Sequence, residues 1–367
     1  MEIIFIGGTV LYLILQSALF IGYFFSASLK KVIPEVLPKV TVIIAARNEE
    51  GCIANCINSL KNINYPENAL EVILVNDNSS DRTKEIMQKE ILNLPNFKVI
   101  DSDANEYGNL KGKANAINTA IKQSKGDLIF LSDADCTMPS DWVMETIKYY
   151  GGKTKMVCGF TRIRNGDSVF ASVQALDWIY LQSMASYSSG LQSILSCIGN
   201  NLTFTKTAYF EAGGYENVRF SITEDLALMR KISSSGTHLI KYPINNKCLV
   251  ITEECKTIKE LYRQKKRWFK GGLRINFFGW LSGISLYTVN FLLLFGWLFT
   301  GFGLWSVLVF AKIISDLLLI VPVYLKFNYK SIIYVFPLFE LYFAIYGLLL
   351  PLTFLFGKEV PWKGRKF

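Results

Sequence analysis

Long unbroken apolar stretches bracket a central region in which apolar residues recur at strand and helix spacing. Ile3 to Phe25 is an apolar run of about 23 residues, enough to cross a hydrocarbon core of about 30 Å as a helix. From about residue 38 to residue 272 the pattern becomes that of an α/β domain. Val40 to Ala45 and Glu71 to Val75 read as buried strands, Phe97 to Ile100 as a short strand and Asp127 to Leu131 as another, each a compact run rich in β-branched or aromatic residues. Helices are predicted between them at Cys52 to Leu60, Arg82 to Leu92 and Lys113 to Gln123. Strands alternating with helices predict a mostly parallel sheet, with ligands beyond the carboxyl ends of the strands.

Beyond Gly272 the chain turns apolar again near 281–300, 304–325 and 332–356, which predicts about three further transmembrane segments. The expected organisation is a membrane anchor at 1–28, a globular domain at 38–272, membrane segments at 281–356 and a basic tail at 357–367. A signal peptide competes for the first run, with Ser26, Ala27 and Ser28 resembling a cleavage site. The missing basic n-region and the excess apolar length favour a retained anchor. Lys30, Lys31 and Lys39 follow it at once, and the positive-inside bias then places the globular domain in the cytoplasm of a multi-pass protein of the inner (cell) membrane. Three spans leaving the cytoplasm end outside, whereas Lys358, Lys363, Arg365 and Lys366 favour the inside. A re-entrant or broken last segment at Pro337 and Pro351 reconciles the two.

Composition sharpens this picture. With 51% hydrophobic and 19% charged residues, the chain is too apolar for an ordinary soluble protein and too charged for a pure membrane bundle. Thirty-nine Lys and Arg against 30 Asp and Glu give a formal net charge of +9. In a membrane protein that excess faces anionic lipid headgroups, and nucleic acid is not an expected partner. Seven cysteines without a Cys-x-x-Cys pair suggest neither a disulfide framework nor a zinc site, and point to a reducing compartment. His238 is the sole histidine, so acid–base chemistry falls on carboxylates.

Asp133 and Asp135 follow a buried strand at i and i+2 and present two hard oxygen ligands, a pair suited to Mg²⁺ or Mn²⁺ bridging a diphosphate. Alone, the pair reads more readily as a solvated acidic turn. Its neighbours change the weighing. Asp77 closes the second strand, where a carboxylate accepts from a base N–H, and Lys113 opens a helix, where a cation and free amides suit phosphate. Ala46 and Glu49, at the end of the first strand, complete the donor-binding candidates. No Gly-x-Gly-x-x-Gly follows the first strand and no P-loop is present, which disfavours a dinucleotide dehydrogenase and a P-loop enzyme. Glu224 and Asp225 are candidate bases for an acceptor hydroxyl, or simply acids at a helix start. Gln264, Arg267 and Trp268 follow. Arg267 suits a diphosphate leaving group and Trp268 a sugar ring, while Arg263, Lys265, Lys266, Arg267 and Lys270 equally suit a basic interfacial helix.

In this order, Asp77, Ser132 to Asp135, Gly199 to Phe204 with Gly213 and Gly214, Thr223 to Asp225 and Gln264-x-x-Arg267-Trp268 resemble the membrane-bound glycosyltransferase family 2. That group includes cellulose, chitin, hyaluronan and poly-N-acetylglucosamine synthases and ceramide glucosyltransferases. The likeness covers about residues 38–272, and Trp362 to Arg365 resembles the ends of some bacterial members. It implies a GT-A nucleotide-sugar domain, a divalent metal and inversion at the anomeric carbon. By that resemblance Asp77 binds the nucleobase, Asp133 and Asp135 the diphosphate and metal, Asp225 is the base, and Gln264, Arg267 and Trp268 hold donor and acceptor.

The expected function is therefore an inverting transfer from a nucleotide sugar, of the UDP class, to a lipid or glycan acceptor at the cytoplasmic face. A processive polysaccharide synthase is the alternative; its usual relatives carry more membrane helices than the four read here, unless a partner subunit supplies them. A transporter with a nucleotide-sensing domain is more remote. Lys312 and Asp316 are nearly the only ionisable residues expected deep within the C-terminal spans, and at i and i+4 they can pair with each other.

Overall fold

The computed structural model describes residues 2–164, 168–234, 239–273, 277–329, 332–353, 361–362 and 365–366. His238 and most of the basic tail lie outside them. The chain forms two compact units: a sheet unit of Leu29–Arg162 and Cys197–Glu253, and a helical unit of Met1–Ser28, Ile163–Ser196 and Glu254–Phe367. Residues 163–196 and 254–272, inside the expected 38–272 run, thus group with the helices.

The sheet unit holds β1 (Val40–Ala46), β2 (Leu70–Asn76), β3 (Phe97–Asp101), β4 (Leu128–Asp133), β5 (Thr154–Cys158), β6 (Leu202–Thr205) and β7 (Leu239–Lys241). Their order is β3-β2-β1-β4-β6-β5-β7. The first four run parallel, β6 is antiparallel to both β4 and β5, and β7 is parallel to β5. Helices Ile53–Lys61, Thr83–Glu90 and Lys113–Gln123 supply the crossovers. Val42, Ile44, Val72, Leu74 and Phe130 pack with Ile57, Leu60, Met87 and Trp142 in one core, and the strands are apolar on both faces because helices cover parallel sheets.

Register places the chemistry. Ala46 pairs with Asn76, Ala45 with Asp133 and Asn76 with Asp101, so four strands end along one edge of the sheet. The insertion of β6 beside β4 brings Gly199–Asn201 to that same edge, where Ser132 Oγ donates to the Asn200 carbonyl at 2.8 Å.

Among the described residues of the helical unit, four helices are long and apolar enough to cross a membrane: Glu2–Ala27, Phe277–Phe295, Trp297–Lys326 and Ile333–Leu352. Ile14, Ile284, Phe310 and Leu349 on them remain exposed, as side chains facing lipid would be. The second and third are separated by Gly296, and the third bends at Gly301 (φ 71°), where the sequence reading placed a break. The fourth runs helical from Phe336 to Thr353, with Pro337 in its first turn and Pro351 in its last.

Helix Glu2–Ala27 meets helix Val169–Gly190 backbone to backbone. A Cβ on Gly22 would stand 2.1 Å from the Tyr187 carbonyl oxygen, and one on Gly190 2.2 Å from that of Gly22; small residues permit this approach. Inside the unit Lys312 pairs with Asp316 at 2.9 Å, as i and i+4 spacing suggested, and also with Glu340. Glu340 is a third buried charge that the sequence reading overlooked. Tyr12 donates to Asp316, and Gln16 donates to Tyr180 at 2.9 Å, so this polar cluster draws on four helices.

Candidate active site

The β1 and β2 ends are tied together by backbone. Asp77 N donates to the Ala46 carbonyl at 2.8 Å, and Arg47 Nη1 donates to the Asp77 carbonyl at 2.8 Å. Ala46 is fully buried and meets Asp77 through that carbonyl. The Asp77 carboxylate is buried and accepts from Ser102 Oγ at 3.4 Å. Glu49 accepts from Cys52 Sγ at 3.1 Å, while its backbone N–H donates to Thr83 Oγ1 at 2.7 Å.

At the end of β4, Asp133 and Asp135 flank buried Ala134. Asp133 Oδ1 accepts from Lys113 Nζ at 2.5 Å, and the same ammonium lies 3.2 Å from Glu224 Oε1. Burial works against the Lys113 charge, but Asp133 and Glu224 outweigh it and hold its pKa above the usual lysine value. Asp135 is exposed, yet protein crowds close to its carboxyl. That crowding, then the charge of Asp133, raises its carboxyl to about 6, and contact with water moderates the rise. Asp225 is also raised to about 6, first by burial and then by Glu224.

Asp225 is held by a close fit. Its Oδ1 accepts from Leu226 N at 2.8 Å, and an added Cβ on Gly199 would stand 3.0 Å from both its Cβ and its Oδ2. The two asparagines after Gly199 brace this corner. Asn201 Nδ2 donates to the carbonyls of Phe160 and Cys248 at 2.7 and 2.8 Å, and its Oδ1 accepts from Trp142 Nε1 at 3.0 Å. Asn200 Oδ1 accepts from Thr161 Oγ1 at 2.7 Å. A Gly-Asn-Asn beside a strand carries no sequence signal of what it braces.

The structure therefore joins Lys113 with Asp133 and Glu224, and sets Asp225 in their electrostatic reach. Gln264, Arg267 and Trp268 belong to the helical unit, on helix Ile258–Gly272. Gln264 Oε1 is buried without a hydrogen-bond partner among the described residues, an arrangement a ligand donor would relieve. Trp268 packs edge-on to Trp178, with centroids 5.4 Å apart.

For a divalent cation the donor set is chemically apt: two carboxylates, one of them open to solvent, and hard oxygen throughout. Among the described residues no group of three or more His, Cys, Asp or Glu converges as a metal site. An Asp133–Asp135 site therefore leaves most coordination positions to substrate oxygens and water.

The model for glycosyl transferase family 2 matches residues 41–226. A poly-beta-1,6-N-acetyl-D-glucosamine synthase from Staphylococcus epidermidis is 30% identical over 235 residues, covering 64% of this chain and 54% of its own length. Its counterpart from Staphylococcus aureus strain MSSA476 is 31% identical over 240 residues, 64% of this chain and 55% of the relative. The chain thus spans about half the length of these relatives. Among solved structures, a mannosyltransferase from Pyrobaculum calidifontis in complex with GDP-Man and Mn²⁺ superposes with a TM-score of 0.63 at 17% identity, covering 95% of this chain and 98% of that one. The fold is accordingly GT-A-like, with apolar helices appended.

Proposed function

The chain belongs to glycosyl transferase family 2, and from that premise we propose that it is an integral-membrane, inverting enzyme moving a sugar from a UDP-sugar to a lipid or glycan acceptor at the cytoplasmic face of the cell membrane. One observation carries the reading: Asp133, Lys113, Glu224 and Asp225 meet at the carboxyl edge of a parallel sheet, with Asp135 two residues past Asp133. Such an edge is where open α/β sheets bind nucleotides.

In this reading Asp77 receives the nucleobase, and Ala46 and Glu49 shape the pocket around it. Asp133 and Asp135 would hold Mg²⁺ or Mn²⁺, which when bound would supply positive charge against the departing diphosphate. Lys113 exchanges its contact with Asp133 for donor phosphate oxygens. Asp225 takes the proton of the acceptor hydroxyl as that oxygen attacks the anomeric carbon from the face opposite the diphosphate. A carboxyl near 6 is ionised at neutral pH yet basic enough for the task. Glu224 keeps Lys113 in place. Arg267 and Trp268 take diphosphate and sugar ring, and Gln264 offers its unsatisfied oxygen to a sugar hydroxyl.

The likeness to poly-beta-1,6-N-acetyl-D-glucosamine synthases supports a second reading, processive polymer synthesis. Product length on a gel separates the two. Family membership argues against the transporter reading. The test is to incubate purified protein with UDP- and GDP-sugars, Mg²⁺ or Mn²⁺ and a lipid extract, and to measure the nucleoside diphosphate released. Absence of nucleoside diphosphate release from every donor, under every condition, counts against the proposal.

A further inference from the structure

Six basic residues, among them exposed Lys259, crowd the helix Ile258–Gly272, and one of them behaves unlike the rest. Arg263, Lys266, Arg267 and Lys270 are exposed or half-buried, whereas Lys265 is 4% exposed. A lysine serving lipid headgroups would face outward, so this one has another task. Its ammonium pairs with Asp177, which is 0% exposed on helix Val169–Gly190. Tyr346, from helix Phe336–Thr353, donates to the other Asp177 oxygen at 3.1 Å. The same ammonium sits 4.5 Å from the centre of the Trp268 ring and 5.2 Å from that of Tyr346.

Lys265 and Trp268, at i and i+3, share a helix face. Consecutive residues of the neighbouring helix take one each: Asp177 pairs with Lys265, and Trp178 packs edge-on to Trp268 at 5.4 Å. The chain entering the motif helix is tied to the same neighbour. Gln174 Nε2 donates to the Cys255 carbonyl at 3.1 Å, and Cys255 N donates to Gln174 Oε1 at 3.0 Å. A buried ion pair adds little stability over apolar residues of the same volume, but it fixes geometry.

We infer that Lys265, Asp177 and Tyr346 are positioning residues that set the Trp268 ring, and with it the turn carrying Arg267, for the transfer reaction. This rests on the proposed roles of Trp268 and Arg267. The ammonium, pinned from one side by Asp177, presents its charge to the π face of Trp268, an attraction that aromatic rings offer to cations within about 6 Å. Loss of the pin frees the ring to rotate while the rest of the helix stays packed.

The test uses the full-length enzyme in detergent, with Asp177→Asn, Lys265→Met, the double variant, Tyr346→Phe and Trp268→Ala, each assayed for melting temperature and for kcat and KM. Each single charge change strands a buried charge and is expected to lower both melting temperature and kcat. The double variant strands none; its melting temperature is expected to return to that of the parent while kcat stays roughly tenfold or more below it. Tyr346→Phe alters no charge and is expected to lower kcat by roughly threefold at unchanged melting temperature. Parental kcat in a stable double variant, or in Tyr346→Phe if the double variant does not insert, overturns the inference. Parental turnover by Trp268→Ala instead removes the reading beneath it, whatever the ion pair does.

Discussion

Lys113 donates to Asp133 across 2.5 Å, twenty positions apart in the chain yet side by side where a helix begins and β4 ends. The contact neutralises a carboxylate proposed for metal and diphosphate, and it must open when donor arrives. Lys113→Met leaves Asp133, Glu224 and Asp225 without their shared cation. The donor KM is expected to rise about tenfold, since a charged hydrogen bond to phosphate is worth roughly 1.5–3 kcal/mol. With less positive charge nearby, the acid limb of kcat/KM moves to higher pH. An unchanged KM and an unmoved limb would separate Lys113 from the site.

Asp225 makes a prediction about stability. Burial and then Glu224 raise its carboxyl to about 6 from an ordinary 3.8, so the folded protein binds this proton more tightly than the unfolded chain does. Stability from this group is therefore lower above pH 6 and recovers as pH falls from 6 toward 4. Asp225→Asn removes the buried charge. In metal-free buffer it is expected to melt higher than the parent at pH 7.5, with the gap closing by pH 4.5. A gap that widens on acidification contradicts the assignment.

Asp135 links metal to pH. Its carboxyl, raised to about 6 by its surroundings and then by Asp133, must lose its proton before it can ligate. Mn²⁺ affinity, read by titration of the free-ion paramagnetic resonance signal, is expected to fall about tenfold per pH unit below 6. Asp135→Ala is expected to remove the binding event. Undiminished Mn²⁺ binding by that variant would place the metal elsewhere.

Gly199 supports Asp225 without any chemistry of its own. An alanine there brings a Cβ 3.0 Å from both Cβ and Oδ2 of Asp225, so the carboxylate must shift by a few tenths of an ångström. Gly199→Ala is expected to lower kcat by roughly 10- to 100-fold with little change in melting temperature. Activity equal to the parent would show that the carboxylate tolerates displacement, against a positioned base.

Much of this was legible in the sequence, for identifiable reasons. Val40 to Ala45 and Asp127 to Leu131 are apolar runs ending abruptly in polar residues, the signature of a strand buried on both faces that stops at a site. The sheet edge carrying Asp77, Asp133 and Asp135 followed from that. The Lys113–Glu224 pair did not, because residues 111 apart meet only through the antiparallel insertion of β6 beside β4. Helix Val169–Gly190 went unread because it is buried on most sides and carries polar Gln174, Asp177 and Gln182 inward; neither one-sided spacing nor a clean apolar run marks it. Glu340 was overlooked as a lone acid in a run long enough to span, yet its partner Lys312 lies on the preceding helix. Pairings across helices leave no local trace.

The most direct measurement compares parent and Asp225→Asn in the same membrane preparation, with saturating donor, Mn²⁺ and acceptor, following nucleoside diphosphate release. The expected result is turnover by the parent, with the variant slower by roughly 100-fold or more while it still binds donor with parental affinity. Equal turnover by the two would contradict a reaction driven by the carboxylates at this sheet edge.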